Sequence, residues 1–352
     1  MKDGFIKKPR DESLIIEDLT NLTASPGYAH ALAYICYRDN FIHYIDKLKP
    51  TDLDQVFNKD RLIRTELTTL IGLMVKGPLE LFQPSPDMID EYVRCTDALL
   101  KELHDSIAYP IWVSIFNAQN ANVTPSSLWR GLAMREPIFY GTESAYTFQY
   151  REFVPEKYEA DDEWMLKNKG FASGQAGVIA KTMCVLIQEK TTRLLAGAQT
   201  SSSYPVTWLP AFEFSLDEVT DHSGVGRDIV EAFFREFLFV GTNSGFKELG
   251  DFNEVAARPL LQTDRGTVLL FSEYAIFEAL YESPFFWMLD DKAYSPTAAK
   301  HRGAFTEKFA ERRLAKVFGY EHVHANVNLH RGNDIVGEAD VMVIYGDRII
   351  IL

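Results

Sequence analysis

The 352-residue chain is 46% hydrophobic and 13% aromatic, enough apolar material for sizeable cores, and its 24% charged content excludes global disorder. A formal net charge of −14 argues against a protein whose whole surface coats nucleic acid, and no apolar run approaches the ~18 residues of a membrane span. The opening MKDGFIKKPRDESL has no apolar leader segment, and Cys36, Cys95 and Cys184 are odd in number and far apart, which fits reduced thiols in a cytoplasmic protein.

Residues 1–120 read as an α-helical module. Gly27–Asn40 is apolar and Ala-rich. Asp60–Lys76 sets Leu62, Leu67, Leu70, Ile71 and Met74 near one helical stripe and closes on Gly77-Pro78. Ser85–Val113 opens with Ser-Pro-Asp and carries Ile89, Tyr92, Val93, Leu100 and Leu103 along one side. The polar Asn117–Ser127 suits a loop or linker. Residues 121–290 read as a mixed α/β region. It has helices over Tyr158–Asn168 and Gly174–Lys190 around a turn at Gly170, then a polar break at Gln199–Val206. An amphipathic helix over Val225–Phe239, a short buried strand at Thr267–Phe271 and a helix at Glu273–Glu282 complete it. The expected class is α+β and multidomain, with an α/β module at residues 291–352.

That last module differs in charge. Nine Lys and Arg stand against eight Asp and Glu, a net of +1, which leaves −15 on the first 290 residues. It also holds His301, His322, His324 and His330, half of the eight histidines. A nearly neutral module on an acidic body is where a polyanion would bind. Phe305–Phe318 reads as a helix closed by Gly319. His322–Leu329 alternates, with Val323, Ala325, Val327 and Leu329 on one face and His322, His324, Asn326 and Asn328 on the other. HRGNDIVG reads as a loop. Glu338–Tyr345 and Arg348–Leu352 read as strands around a two-residue turn at Gly346-Asp347. That turn sets Tyr345 against Arg348, Ile344 against Ile349 and Val341 against Leu352. Asp340 then faces a position just beyond Leu352, where a second metal ligand would share its sheet face. The apolar RIIIL also leaves an exposed strand edge, so the expectation is a truncated form of a longer protein.

The order of a helix glutamate in RGAFTEKFAERRL, then a strand aspartate and a hairpin in GEADVMVIYGDRIIIL, resembles the PD-(D/E)XK nuclease superfamily. The likeness is to its NERD-like and restriction-endonuclease-like members and covers about residues 300–352. It implies a restriction-endonuclease-like fold cut off before the (Glu/Gln)-x-Lys element, in a prokaryotic nuclease of restriction or defence. Asp340 would be the catalytic, metal-binding aspartate and Glu307 the helix glutamate, while Glu338, on the face of Asp340, would be a further ligand. Mg²⁺ (or Mn²⁺) would polarise a scissile phosphate and activate a water, since a hard cation needs only one or two carboxylates. Arg302, Lys308 and Arg312 would contact the phosphates of nucleic acid, DNA in preference to RNA. Without its last motif this chain would itself be inactive. The first 290 residues would bind a protein partner or restrain the nuclease, and no membrane is implied.

Plainer readings stand beside these. Glu307 lies among Lys308, Glu311, Arg312 and Arg313, the pattern of a solvated helix face. Asp340 could simply face solvent at a strand start. His322-x-His324 offers two imidazoles to zinc, with no third ligand in view. Gly224-x-Gly226 lacks the third glycine of a dinucleotide loop. The helix pair over residues 158–190 carries Glu159, Asp161, Asp162 and Glu163 where DNA would lie. The aromatic-rich REPIFYGTESAYTFQYREF reads as core, and Ser201-Ser202-Ser203 has no nucleophile elbow. The rival to the enzyme is a non-catalytic interaction module on a nuclease-like scaffold.

Overall fold

The computed structural model describes residues 8–42, 47–58, 60–120, 135, 139–140, 145–201 and 206–352. Helices α1 (Glu12–Thr23), α2 (Tyr28–Asn40), α3 (Arg64–Met74) and α4 (Pro86–Asn120) open the chain. Helix α3 starts four residues later than its apolar stripe suggests. The Glu66 carboxylate accepts the Ile63 backbone N–H at 2.9 Å, which fixes the first turn there. Helix α4 runs on to Asn120, so the first residues of the expected linker are helical; 121–127 lie outside the described residues.

Next come α5 (Thr147–Tyr158), α6 (Asp162–Lys169) and α7 (Ser173–Ser201). The helix expected over Tyr158–Asn168 is broken by a 3-10 turn at Glu159–Asp161. Helix α6 carries acids in its first turn and Lys167 and Lys169 in its last, which suits the helix dipole, and Gly170 ends it at φ +88°. Helices α8 (Leu216–Ser223), α9 (Arg227–Phe237) and α10 (Glu254–Ala257) follow. They alternate with strands β1 (Glu213–Phe214), β2 (Leu238–Phe239), β3 (Leu260–Gln262) and β4 (Val268–Leu269). These make a sheet in the order β1-β4-β3-β2, parallel only between β2 and β3.

Two long helices lead to the C-terminal end, α11 (Glu273–Asp290) and α12 (Ser295–Phe318). Helix α12 begins ten residues before the expected Phe305, with Pro296 in its first turn, where a missing N–H costs nothing. Strands β5 (Val323–Arg331), β6 (Asp334–Tyr345) and β7 (Arg348–Ile351) then form an antiparallel sheet in sequence order. The expected register holds: Tyr345 pairs Arg348 and Ile344 pairs Ile349. Leu352 donates to the Val341 carbonyl at 2.9 Å and Val341 returns the bond at 3.3 Å. HRGNDIVG is not a loop but the tip of a second hairpin. Gly332 adopts φ +64°, a two-residue Gly332-Asn333 turn closes it, and a bulge after Leu329 absorbs the irregular register.

One contiguous cluster of buried side chains runs from Ile15 to Ala298 and joins residues on both sides of position 120. Tyr37 stacks on Trp208 at 3.5 Å, and the buried Asn243 amide donates to the Gly72 carbonyl at 3.0 Å. A separate cluster of Ala315, Val323, Val341 and Val343, flanked by Ala310, Leu314 and Phe318, lies between α12 and the β5-β6-β7 sheet. The chain is thus α+β, with the second sheet carried on α12. No single described helix is long and apolar enough to cross a membrane.

Candidate metal and nucleic-acid site

Helix α12 decides which face of the second sheet is open. Its Ala310, Leu314, Ala315 and Phe318 cover the face bearing Val323, Val341 and Val343. Side chains alternate along a strand, so Glu338, Asp340 and Met342 of β6 point to the other face. The pairs Ala325–Val341 and Val327–Ala339 bracket Asn326 and set it opposite Asp340, while Asn328 pairs with Glu338. Asp340, Glu338, Asn326 and Asn328 are all exposed. Asn326 is the only non-glycine among the described residues with positive φ, at +53°, a conformation that asparagine tolerates better than most residues. The uncovered face therefore carries two carboxylates and two amides on adjacent strands.

This donor set is all hard oxygen, which suits Mg²⁺ or Mn²⁺ held by two carboxylates and water. No group of three or more His, Cys, Asp or Glu that could hold a metal occurs among the described residues.

The structure does not bring Glu307 to this face. Glu307 lies on α12 three residues before Ala310, on the stripe that faces the sheet, and is half-buried. The sheet separates it from Asp340, so the expected convergence of the two is corrected. The reason is that α12 packs on the odd-numbered face of β6 while Asp340 is even-numbered.

Arg302 is also displaced from its expected role. It lies at the root of α12, where its Nη1 donates to the Lys157 carbonyl at 2.9 Å. Its guanidinium covers the Tyr158 ring at 4.6 Å, with Phe285 and Phe305 at 5.3 and 5.5 Å. A group so enclosed is a structural cation, not a phosphate ligand. Its neighbour Asp161, fully buried, accepts from Tyr294 Oη at 2.8 Å and contacts His301 Nδ1 at 2.7 Å; its other oxygen is 3.6 Å from Arg302. Arg312 is held to Glu156 at 2.8 Å on α5. Lys308 is exposed, on the helix that covers the far side of the sheet from Asp340.

The paired-imidazole reading separates in the same way. His322 lies in the 3-10 turn Tyr320–His322, before the strand, and packs edge-on against Tyr345 at 5.1 Å. Tyr345 also meets Phe318 of α12, so His322 is on the covered side, whereas His324 pairs with Met342 on the open one.

Two juxtapositions could not be read from the sequence. Asp161 and His301 are 140 residues apart and no spacing rule connects them. Asn326 was visible as a member of a polar strand face, but its place opposite Asp340 depends on the Gly332-Asn333 turn. The turn alone would set Asn326 against Ala339; the bulge after Leu329 shifts the register by one and brings it opposite Asp340. The chain matches no protein-family model, no curated protein and no solved structure.

Proposed function

We propose that the C-terminal unit is a restriction-endonuclease-like module for metal-dependent phosphodiester hydrolysis, acting on nucleic acid in a cytoplasmic setting. The observation that supports it is the uncovered face of the second sheet. There Asp340 and Glu338 stand two residues apart with the Asn326 and Asn328 amides across the ladder. Asp340 and Glu338 would hold Mg²⁺ or Mn²⁺, which when bound polarises a phosphate and acidifies a water. Asn326, on the neighbouring strand, would offer an amide to a phosphate or a water. Lys308 contributes positive charge near the module, and Glu307 has no part in this version of the site. The −15 on the first 290 residues keeps polyanions off the body and leaves the near-neutral module as the approach.

The test is a Mn²⁺ titration of the full chain followed by electron paramagnetic resonance. One site is expected, weakened at least about tenfold by Asp340→Ala, since one of two carboxylate ligands is lost. Metal-dependent nicking of supercoiled DNA should vanish in the same variant. Mn²⁺ binding that ignores Asp340→Ala overturns the reading.

A second reading is favoured by a different observation. Ile349, Ile351 and Leu352 are 61, 57 and 56% exposed, an apolar edge strand uncovered on both faces. Such an edge suits a non-catalytic module that docks another protein by strand addition. Intact Mn²⁺-independent partner binding in Asp340→Ala, with loss in Ile351→Lys, would favour this reading.

A further inference from the structure

A cavity of about 1000 Å³ opens on the body of the molecule between α3, α11 and residues 249–258, in the size range of sites that enclose small organic molecules. Helix α11 faces it with Glu278, Glu282, Phe286 and Asp290, four residues apart and so on one stripe. Opposite stand Phe252, Glu254 and Arg258. Phe252 and Phe286 are 71 and 61% exposed, large apolar rings left in water at the cavity wall.

Among the described residues, the charges around the cavity do not balance. Arg64 is held by Glu278 at 3.0 Å, and Arg135 is held by both oxygens of Glu12 at 2.7 and 2.8 Å. The Asp251 carboxylate is engaged by the Lys247 and Glu248 backbone N–H groups at 2.8 and 3.0 Å. Among the described residues Glu282 has only the Lys157 ammonium, at 3.9 Å. Glu254 and Asp290 have no side-chain partner among the described residues, and the one lining cation in the same state is Arg258. The lining thus combines exposed aromatic faces with an excess of unneutralised carboxylate.

We infer that this cavity binds a small amphiphilic cation. Its apolar or aromatic body lies against Phe252 and Phe286, and its ammonium group is turned toward Asp290 and Glu282. Ring faces attract a cation as well as an apolar body, so both parts of the ligand find partners on the same wall. An anionic counterpart of the same size would meet the carboxylate excess and be rejected. The site is independent of the metal-binding reading, because no residue is shared.

Two dyes with one fluorophore test it, dansylcadaverine (a primary ammonium) and dansylglycine (a carboxylate), titrated into the full chain. Dansylcadaverine should bind saturably with blue-shifted emission, and dansylglycine about tenfold more weakly or less well still. Phe286→Ala should weaken dansylcadaverine several-fold, and Asp290→Asn should narrow the difference between the dyes. Both positions are exposed, so circular dichroism of either variant should match the parent. Ala256→Trp, which fills the cavity, should abolish binding. Absence of saturable binding, equal affinity for the two dyes, or binding untouched by Phe286→Ala and Ala256→Trp overturns the inference.

Discussion

At the scale of single residues, burial sets the chemistry of the ionisable groups. Glu66 is 7% exposed, and desolvation pushes its carboxyl up to about 7 although the Ile63 N–H opposes the shift. A carboxyl whose folded value is raised binds more protons folded than unfolded. The stability it contributes is therefore present below its ordinary 4.5 and is lost as pH rises through about 7. Glu66→Gln keeps an oxygen for Ile63 and removes the charge. We expect it to stabilise the protein at pH 8 by about 1–3 kcal/mol and to have little effect near pH 4, checked by denaturant melts at both pH values. Asp161 acts through its partners instead. It is the buried acceptor for Tyr294 and His301 and the counter-charge to Arg302. Asp161→Ala leaves a guanidinium enclosed among rings without its carboxylate, and the expected loss is about 3–5 kcal/mol in the same melts.

At the scale of elements, hairpins and edges dominate. Gly332 and Gly346, at φ +64° and +61°, hold the two turns of the second sheet. Gly332→Val forces a β-branched residue into that region and should cost more than about 1 kcal/mol, read as a lowered unfolding midpoint. Strand β7 is the reverse case. Its isoleucines touch little, so Ile351→Lys should change stability by no more than about 0.5 kcal/mol. The same change should reduce self-association in sedimentation velocity, because a charge on an open edge discourages strand pairing. The polar face of β5 and the register of β6 with β7 were legible as elements in the sequence, because period two and a two-residue turn are local rules. The β5–β6 register was not, because a bulge after Leu329 hides the count across the tip.

At the scale of the molecule, the second sheet depends on the body through α12. One side of that helix supplies the small sheet core of Ala315, Val323, Val341 and Val343. The other side packs Phe309 on Phe153 at 4.8 Å and pairs Arg312 and Arg313 with Glu156 and Glu152. So few buried residues leave the exposed strand β7 weakly protected. In hydrogen exchange its amides should exchange well before those of α11, whose Ile276, Phe277, Ala279 and Leu280 lie in the main core. Equal protection of the two segments would mean that β7 is covered in solution.

The amino-acid order by itself determined the helices with strong apolar periodicity, the hairpin at Gly346-Asp347, and the contrast between an acidic body and a near-neutral C-terminal module. These are properties of neighbours in the chain, where spacing and turn chemistry act directly. Only the tertiary structure decided that Glu307 and Asp340 fall on opposite sides of a sheet, that Arg302 is enclosed, and that a cavity forms beside α11. In β6, apolar side chains occur on both faces, Val341 and Val343 on one and Met342 and Ile344 on the other. The strand alone therefore could not say which face α12 would cover. That choice belongs to the pairing with β5, whose valines lie on one face only, and to the packing of Ala310, Leu314, Ala315 and Phe318 against Val323, Val341 and Val343.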